Sequence, residues 1–168
     1  YVTLRQLRSE VGNDAARFFY VSRSNDQHLD FDLKLAKQRS NENPVYYVQY
    51  AHARVSSLLR KMEQEGLGLE LSDMDELDCL TEKAEHGLLV LLSRYPEVLQ
   101  LATVNRAPQH IVQYLRDLSA SFHSYYNAHR VLVEDRRLRN ARVTLAVGTQ
   151  QVLRNGLALL GVTAPDNM

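Results

Sequence analysis

Aromatic and basic side chains are concentrated in the stretch "NPVYYVQYAHAR", residues 43–54. Each residue of an α-helix turns the chain by about 100°, so Tyr47, Tyr50 and Arg54 fall on one stripe, which Lys61 extends. Stacking a nucleotide base on an aromatic ring contributes about 1–3 kcal/mol, and an arginine adds phosphate and cation–π contacts. The stripe therefore favours nucleic-acid binding. The alternative interpretation is that the tyrosines pack on neighbouring helices with their hydroxyls at the rim.

A second stretch, "FHSYYNAHR" at residues 122–130, has a similar composition of paired tyrosines, histidines and an arginine. Two such stretches in one helical protein favour a loop of single-stranded RNA as the ligand. The formal net charge is zero, but the segment from Val98 to Gly156 contains eight arginines and only three acidic residues. A basic face is therefore compatible with a neutral chain, although ordinary solvated helix surfaces explain the same charges.

The residue types that carry catalysis or bind metals are scattered along the chain. Cys79 is the single cysteine, and His123 and His129 are six residues apart, which places them on different sides of a helix. Asp30 and Asp32 have no nucleophile or general base beside them, so we interpret them as surface or helix-capping acids. The sequence also contains no glycine-rich phosphate loop. We therefore predict no catalytic residue, no metal site and no cofactor within this chain.

The composition is typical of a globular domain built from long helices. The chain has 168 residues, of which 45% are hydrophobic and 24% are charged, with only 7 glycines and 4 prolines. No apolar run is long enough to span a membrane. The single cysteine excludes an internal disulfide and favours a reducing compartment, so we expect a cytoplasmic protein. Because the chain begins at Tyr1, we expect it to be a piece of something longer.

The first 42 residues are predicted to combine short helices with one short strand or extended segment. Two short helices are predicted around Gly12, with Asn13 or Asp14 as the cap of the second. Residues 28–32, "HLDFD", alternate in polarity and predict a short strand or an extended segment, after which "LKLAKQRS" returns to helix.

From Asn43 onward the sequence predicts an antiparallel helical bundle, so the fold class is all-α. Asn43 and Pro44 are a strong helix start. The residues on the core-facing side of this helix recur at spacings of three and four: Val45, Val48, His52, Val55, Leu59 and Met62. We expect His52 to be a hydrogen-bonded core residue.

Further helices complete the predicted bundle of four or five. Ser72 and Asp75 resemble a capping box for a second helix, and Pro96 and Pro108 are typical of the first turns of two more. The last helix ends at Gly161. The expected core positions of the second helix are Leu77, Leu80, Leu88, Leu89, Leu91 and Leu92. Those of the last two helices are Ile111, Leu115, Leu118, Phe122, Leu138, Leu145, Val152 and Leu159.

Segments along the whole chain resemble one known family, the arginyl-tRNA synthetases. "NPVYYVQYAHARVSSLL" is similar to the opening helix of their DALR anticodon-binding domain, and "FHSYYNAHRVL" and "TQQVLRNGLALLGVTAPDNM" resemble its last helices. The segment before residue 43 resembles the one that follows the KMSKS-type loop. The resemblance implies a connector at residues 1–42 and an anticodon-binding bundle at residues 43–168.

The resemblance also implies partners and cofactors. The full-length enzyme would activate arginine with ATP and Mg, and would attach it to tRNA(Arg). The HIGH and KMSKS motifs are absent here, so the chain alone should be inactive. We expect contact with the tRNA(Arg) anticodon stem-loop and with the upstream catalytic domain, no DNA or membrane partner, and a monomer.

The family's anticodon contacts correspond to two tyrosines of the first bundle helix, a tyrosine of a later helix and the terminal methionine. Tyr125 is an adjacent alternative to Tyr126. Arg54 and Arg130 are added from charge and position. The predicted tRNA-binding residues are Tyr47, Tyr50, Arg54, Tyr126, Arg130 and Met168. The main alternative is a helical protein-interaction module without RNA binding, and the least supported is a free-standing enzyme.

Overall fold

The computed structural model describes residues 3–24, 26–28, 30–68, 71 and 74–168. Within these ranges the chain forms seven α-helices, one 3-10 helix and no β-strand, which confirms the all-α prediction. The α-helices are α1 (Leu4–Val21), α2 (Leu33–Lys37), α3 (Pro44–Gln64), α4 (Lys83–Ser93), α5 (Tyr95–Val104), α6 (Gln109–Ala128) and α7 (Arg136–Leu159). The 3-10 helix, Met74–Cys79, lies before α4. No described helix combines the length and the apolar character that crossing a bilayer requires.

The N-terminal part contains the two helical pieces that were predicted around Gly12. Gly12 has φ 82° and ψ 166°, so it kinks α1 into two helical pieces. Asn13 accepts a hydrogen bond from Arg8, and Asp14 bonds to Thr163. The described part of residues 28–32 forms no strand, and Asp32 has the extended conformation of the alternative prediction and caps α2 by accepting from the Leu35 amide at 2.9 Å.

Helix α3 begins and ends where its local signals place it. Asn43 is the N-cap and Pro44 occupies the first turn. The amide of Asn43 does not cap the helix, however. Its Nδ2 donates to the backbone carbonyls of Ala36 and Gln38, which ties α2 to the start of α3. Beyond the helix, Gly66 adopts φ 69°, the left-handed conformation that glycine accepts at low cost.

The predicted second helix is divided. Its proposed cap involves Ser72 and Asp75; Ser72 and the Asp75 side chain lie outside the described residues. Leu80 donates to the Leu77 carbonyl three residues back, so this segment is a 3-10 turn. Helix α4 starts only at Lys83, because the Glu82 amide is satisfied by the Glu85 carboxylate at 3.0 Å.

Helices α3, α6 and α7 pack against one another and form the centre of the bundle. Their buried residues include the expected Val48, Leu115 and Leu145. Tyr47 contacts His123, and Arg54, farther along α3, contacts Asn127, farther along α6, so these two helices point in the same direction. Helix α7 runs opposite to α3, since Gln150 bonds to Ser56 and the later Arg154 bonds to the earlier His52. Around this centre, α4 covers α6 and α7, α5 covers α6, and α1 packs on α3 and α6.

One core prediction for α7 is wrong. Leu159 was placed on the core stripe, but it is exposed, and Leu153, Leu157 and Leu160 are buried instead. A spacing of seven residues falls short of two full turns by about 20°, so successive heptad positions drift around a long helix. Over the 24 residues of α7 the drift carries Leu159 away from the core.

Candidate nucleic-acid interface

Six side chains of α3 and α6 meet on one partly exposed surface with a guanidinium at its centre. We call them the Arg54 cluster: Tyr47, Tyr50, Arg54, His123, Tyr126 and Asn127. The α3 members lie at helical spacings of three and four, and so do the α6 members. Because α3 and α6 run side by side in the same direction, both faces are brought together over about two turns.

The Arg54 guanidinium links the two helices. Its carbon atom lies 4.6 Å from the centroid of the Tyr126 ring and 5.3 Å from that of Tyr50. One terminal nitrogen donates to His123 Nδ1 at 3.0 Å, and the other donates to Asn127 Oδ1 at 2.6 Å. Arg54, which was predicted to bind RNA from its charge and position, is therefore itself held by protein partners on both helices. It fixes the relative positions of the rings and retains further N–H donors for a ligand.

His123 occupies the space between the α3 tyrosines. Its ring centroid is 4.4 Å from that of Tyr47 and 5.2 Å from that of Tyr50. Its Nε2 donates to the Tyr47 carbonyl at 3.1 Å. Burial lowers the pKa of His123, and the charge of Arg54 lowers it further, whereas the bond to the Tyr47 carbonyl opposes this shift.

The structure distinguishes the two adjacent tyrosines of α6. Tyr125 is fully buried and its hydroxyl donates to Glu85 at 3.4 Å. Tyr126 is partly exposed and packs on Phe122 with ring centroids 5.6 Å apart. Burial raises the pKa of Tyr126, and Arg54 partly offsets that shift. Of the two candidates, Tyr126 is therefore the one whose ring belongs to the Arg54 cluster.

The predicted Arg130 lies beside the cluster. A cleft of about 160 Å³ has an apolar floor, a tyrosine and basic side chains. Its lining residues are Leu58, Lys61, Tyr126, His129, Arg130, Val131 and Leu132. The Arg130 side chain is exposed, and its carbonyl accepts from Arg142 Nη1 at 2.8 Å, which holds the turn after α6 in place.

No described hydrogen bond, ion pair or ring contact joins Met168 to the Arg54 cluster. The C-terminal tail crosses another face of α3, where Gln49 donates to the Thr163 carbonyl and Ser56 donates to Asp166 at 2.8 Å. This face lies roughly 150° around the helix from Tyr50 and Arg54. Met168 follows two residues later with half of its surface exposed.

His52 anchors the same tail and confirms its predicted role as a core histidine. It is fully buried; its Nδ1 donates to the Pro165 carbonyl at 3.0 Å, and its Nε2 accepts from Arg154 at 3.3 Å. Burial lowers the pKa of His52. The imidazole therefore joins α3, α7 and the tail in its neutral form.

Sequence reasoning missed two members of the Arg54 cluster, His123 and Asn127, and the neighbouring Tyr46. His123 counted toward the composition of the second stretch, but its spacing was compared only with His129, where it suits no metal. Its positions relative to Tyr126 and Asn127, three and four residues away, were the available signal. Tyr46 extends the aromatic surface, since its ring stacks with that of Tyr50 at 6.1 Å.

The surface has no metal-binding character. Across the described ranges, histidine, cysteine and acidic side chains form no group of three or more that could hold a metal ion. The arrangement instead provides aromatic faces, one organised guanidinium and the basic groups of Lys61 and Arg130. These groups suit stacked bases and phosphate oxygens.

Comparison with known proteins first defines the class of this bundle. A family model described as the DALR anticodon binding domain matches residues 48–168, which is more than half of the chain. The chain therefore belongs to the DALR anticodon-binding domain family.

The particular relatives are arginine–tRNA ligases. The chain is 55% identical over 169 aligned residues to that of Coxiella burnetii and 57% identical over 168 to that of Acidithiobacillus ferrooxidans. In both cases the match covers 100% of this chain and 29% of the relative. The arginyl-tRNA synthetase structure from Thermus thermophilus superposes with a TM-score of 0.79 at 35% identity, over 95% of this chain and 27% of that one. The chain thus matches the anticodon-binding region of arginine–tRNA ligases and spans less than a third of their length.

Proposed function

We propose that this chain holds the anticodon stem-loop of tRNA(Arg) on the Arg54 cluster, as the anticodon-binding part of an arginine–tRNA ligase. The observation that carries the proposal is the convergence of three partly exposed tyrosines and one guanidinium from two helices. Family membership supports tRNA as the nucleic acid. Tyr47, Tyr50 and Tyr126 would stack on unpaired bases, with Arg54 keeping their faces in register.

Two of the predicted residues, Arg130 and Met168, take secondary parts in the proposal together with Lys61 of the α3 stripe. Arg130 and Lys61 would meet backbone phosphates at the rim of the cleft beside Tyr126. Met168 would approach the RNA only from the side of α3 that carries the tail. Its contribution should therefore be smaller than that of the tyrosines.

In the full-length enzyme the activity would be the attachment of arginine to tRNA(Arg) after its activation with ATP and Mg, in the cytoplasm. Residues 1–42 would connect the bundle to the catalytic domain. The Asp14 bond to Thr163 supports a connector that is docked on the bundle, because it joins α1 to the C-terminal tail. We propose that the enzyme acts as a monomer.

Fluorescence anisotropy with a labelled arginine anticodon stem-loop tests the proposal. We expect Tyr47→Ala and Tyr50→Ala each to raise the Kd by roughly 5- to 150-fold, because one lost base stack costs about 1–3 kcal/mol. The matched control is Tyr20→Ala. Tyr20 is half exposed but lies on α1 beside Phe31, so its removal should leave the Kd unchanged.

The titrations should be run at low and moderate salt, since phosphate contacts weaken as salt rises whereas stacking is less sensitive. The expected result is a loss of affinity for both variants at both salt concentrations. Binding that is absent in the intact chain, or that is unchanged by both substitutions, would contradict the proposal.

A further inference from the structure

Beyond the proposed stacking residues, we infer that His123 is the positioning residue of the RNA-binding surface and that it must be neutral for the Arg54 cluster to keep its geometry. The inference rests on the proposed function, but it concerns a residue that would support the surface from beneath the ligand. His123 is buried, so its effect on RNA would pass through the groups that it holds.

The two hydrogen bonds of His123 determine its protonation state. Arginine can only donate, so the 3.0 Å contact with Arg54 Nη1 requires His123 Nδ1 to accept. A backbone carbonyl can only accept, so the 3.1 Å contact with the Tyr47 carbonyl requires Nε2 to donate. Only the neutral tautomer with its proton on Nε2 satisfies both bonds.

Protonation of His123 would remove the acceptor and place an imidazolium against a guanidinium. The groups that face the ring are Arg54, Tyr47 and Tyr50 from α3 and Phe122 from α6. Among these described contacts no carboxylate offsets a second positive charge. Arg54 would therefore leave the position in which it bonds to Asn127 and covers the Tyr126 ring, and the order of the stacking faces would be lost.

The consequence for RNA is a loss of selectivity in acid. The added charge on His123 attracts any phosphate backbone, so non-specific affinity should not fall. Discrimination between the arginine anticodon loop and other RNA loops depends on the positions of the tyrosine rings, so it should decrease. The informative quantity is therefore the ratio of the Kd for a loop with substituted anticodon bases to the Kd for the arginine anticodon loop.

The first experiment needs no RNA. Long-range proton–nitrogen correlation spectra of the intact chain, labelled with ¹⁵N-histidine, identify the tautomer of each imidazole. We expect His123 with the proton on Nε2 and His52 with the proton on Nδ1, as their partners require. A proton on Nδ1 of His123 at neutral pH would overturn the inference, whatever the result with RNA.

The second experiment compares three variants by the Kd ratio from about pH 8 down to the lowest pH at which the chain stays folded, because the pKa of His123 is lower than the ordinary histidine value. His123→Leu removes both bonds and should reduce the ratio about tenfold at all pH values. His123→Asn keeps an acceptor near the position of Nδ1 and should restore most of the ratio, without pH dependence. His86→Asn, an exposed position on α4, should behave like the wild type and keep the acid loss of selectivity.

Two results would reject the positioning role: a wild-type ratio in His123→Leu, or acid loss of selectivity that persists in His123→Asn. Either result leaves the proposed function intact as long as Tyr47→Ala and Tyr50→Ala still weaken binding. If those two substitutions have no effect, the proposed function itself fails. Circular dichroism of each variant confirms that it is folded, and His123→Asn keeps the test decisive if His123→Leu does not fold.

Discussion

Glu85 carries a fully buried carboxylate at the start of α4, and its replacement by glutamine should be among the most destabilising single changes in the bundle. The carboxylate accepts from Arg142 Nε at 2.7 Å, and the side chain of Arg142 is only 10% exposed. It also accepts from the hydroxyl of Tyr125, and Arg142 in turn holds the Arg130 carbonyl. One charge pair therefore joins α4, α6, α7 and the turn that carries Arg130.

The magnitude follows from the burial of both partners. Glu85→Gln keeps the shape and an acceptor, but it leaves the Arg142 charge without a counter-charge. Breaking a buried pair from one side costs about 3–5 kcal/mol, and the retained acceptor places this variant near 3 kcal/mol. For a chain of this size each 1 kcal/mol lowers Tm by about 2–4 °C, so we expect a decrease of roughly 6–12 °C.

Urea denaturation followed by circular dichroism measures the change. Asp78→Asn is a matched control, because the Asp78–Arg137 pair has the same 2.7 Å separation but side chains that are 70% and 56% exposed. Removing such an exposed pair should cost less than about 1 kcal/mol. Equal losses in the two variants, or a loss below about 1 kcal/mol in Glu85→Gln, would show that burial of this pair does not set its contribution.

Two further predictions concern packing and pH. A Cβ on Gly156 would lie 2.6 Å from Leu115 Cδ2 in the core, so Gly156→Ala should lower the free energy of unfolding by about 1–3 kcal/mol. The control is Gly148→Ala, where the nearest neighbour of the added Cβ is 3.9 Å away, and urea titrations should show it to be neutral or slightly stabilising. Since the pKa values of His52 and His123 are both lowered from 6.5 in the folded state, the unfolded chain takes up protons first as the pH falls. The free energy of unfolding should therefore be fully retained above about pH 6.5 and decrease below it, and an increase on acidification from pH 7 to 6 would contradict the neutral assignments.

Local signals predicted the helix boundaries best, because their chemistry involves only neighbouring residues. Asn43 with Pro44 marks the start of α3, Pro96 lies in the first turn of α5, and Gly161 ends α7 with φ 67°. The 3-10 turn before α4 was missed because the cap was predicted at Ser72, whereas the capping box that begins α4 is formed by Glu82 and Glu85. The carboxylate of Glu85 accepts from the Glu82 amide.

The candidate site was predictable in its residue types but not in its internal order. Helical spacing placed Tyr47, Tyr50 and Arg54 on one stripe, and the structure shows them together. Nothing in the spacing could show that α6 lies beside α3 in the same direction, with His123 and Asn127 binding the guanidinium. Pairings between helices far apart in sequence depend on the packing of the whole core.

The most direct test of the central claim is to observe the tyrosine rings while the RNA binds. The chain contains nine tyrosines, so ring-labelled ¹³C spectra provide internal controls within one sample. On addition of the arginine anticodon stem-loop, we predict shifts in the signals of Tyr47, Tyr50 and Tyr126. The signals of Tyr95 and Tyr114, which stack on each other 5.8 Å apart between α5 and α6, should stay in place. Shifts of Tyr95 and Tyr114 with no change in the other three would contradict the account.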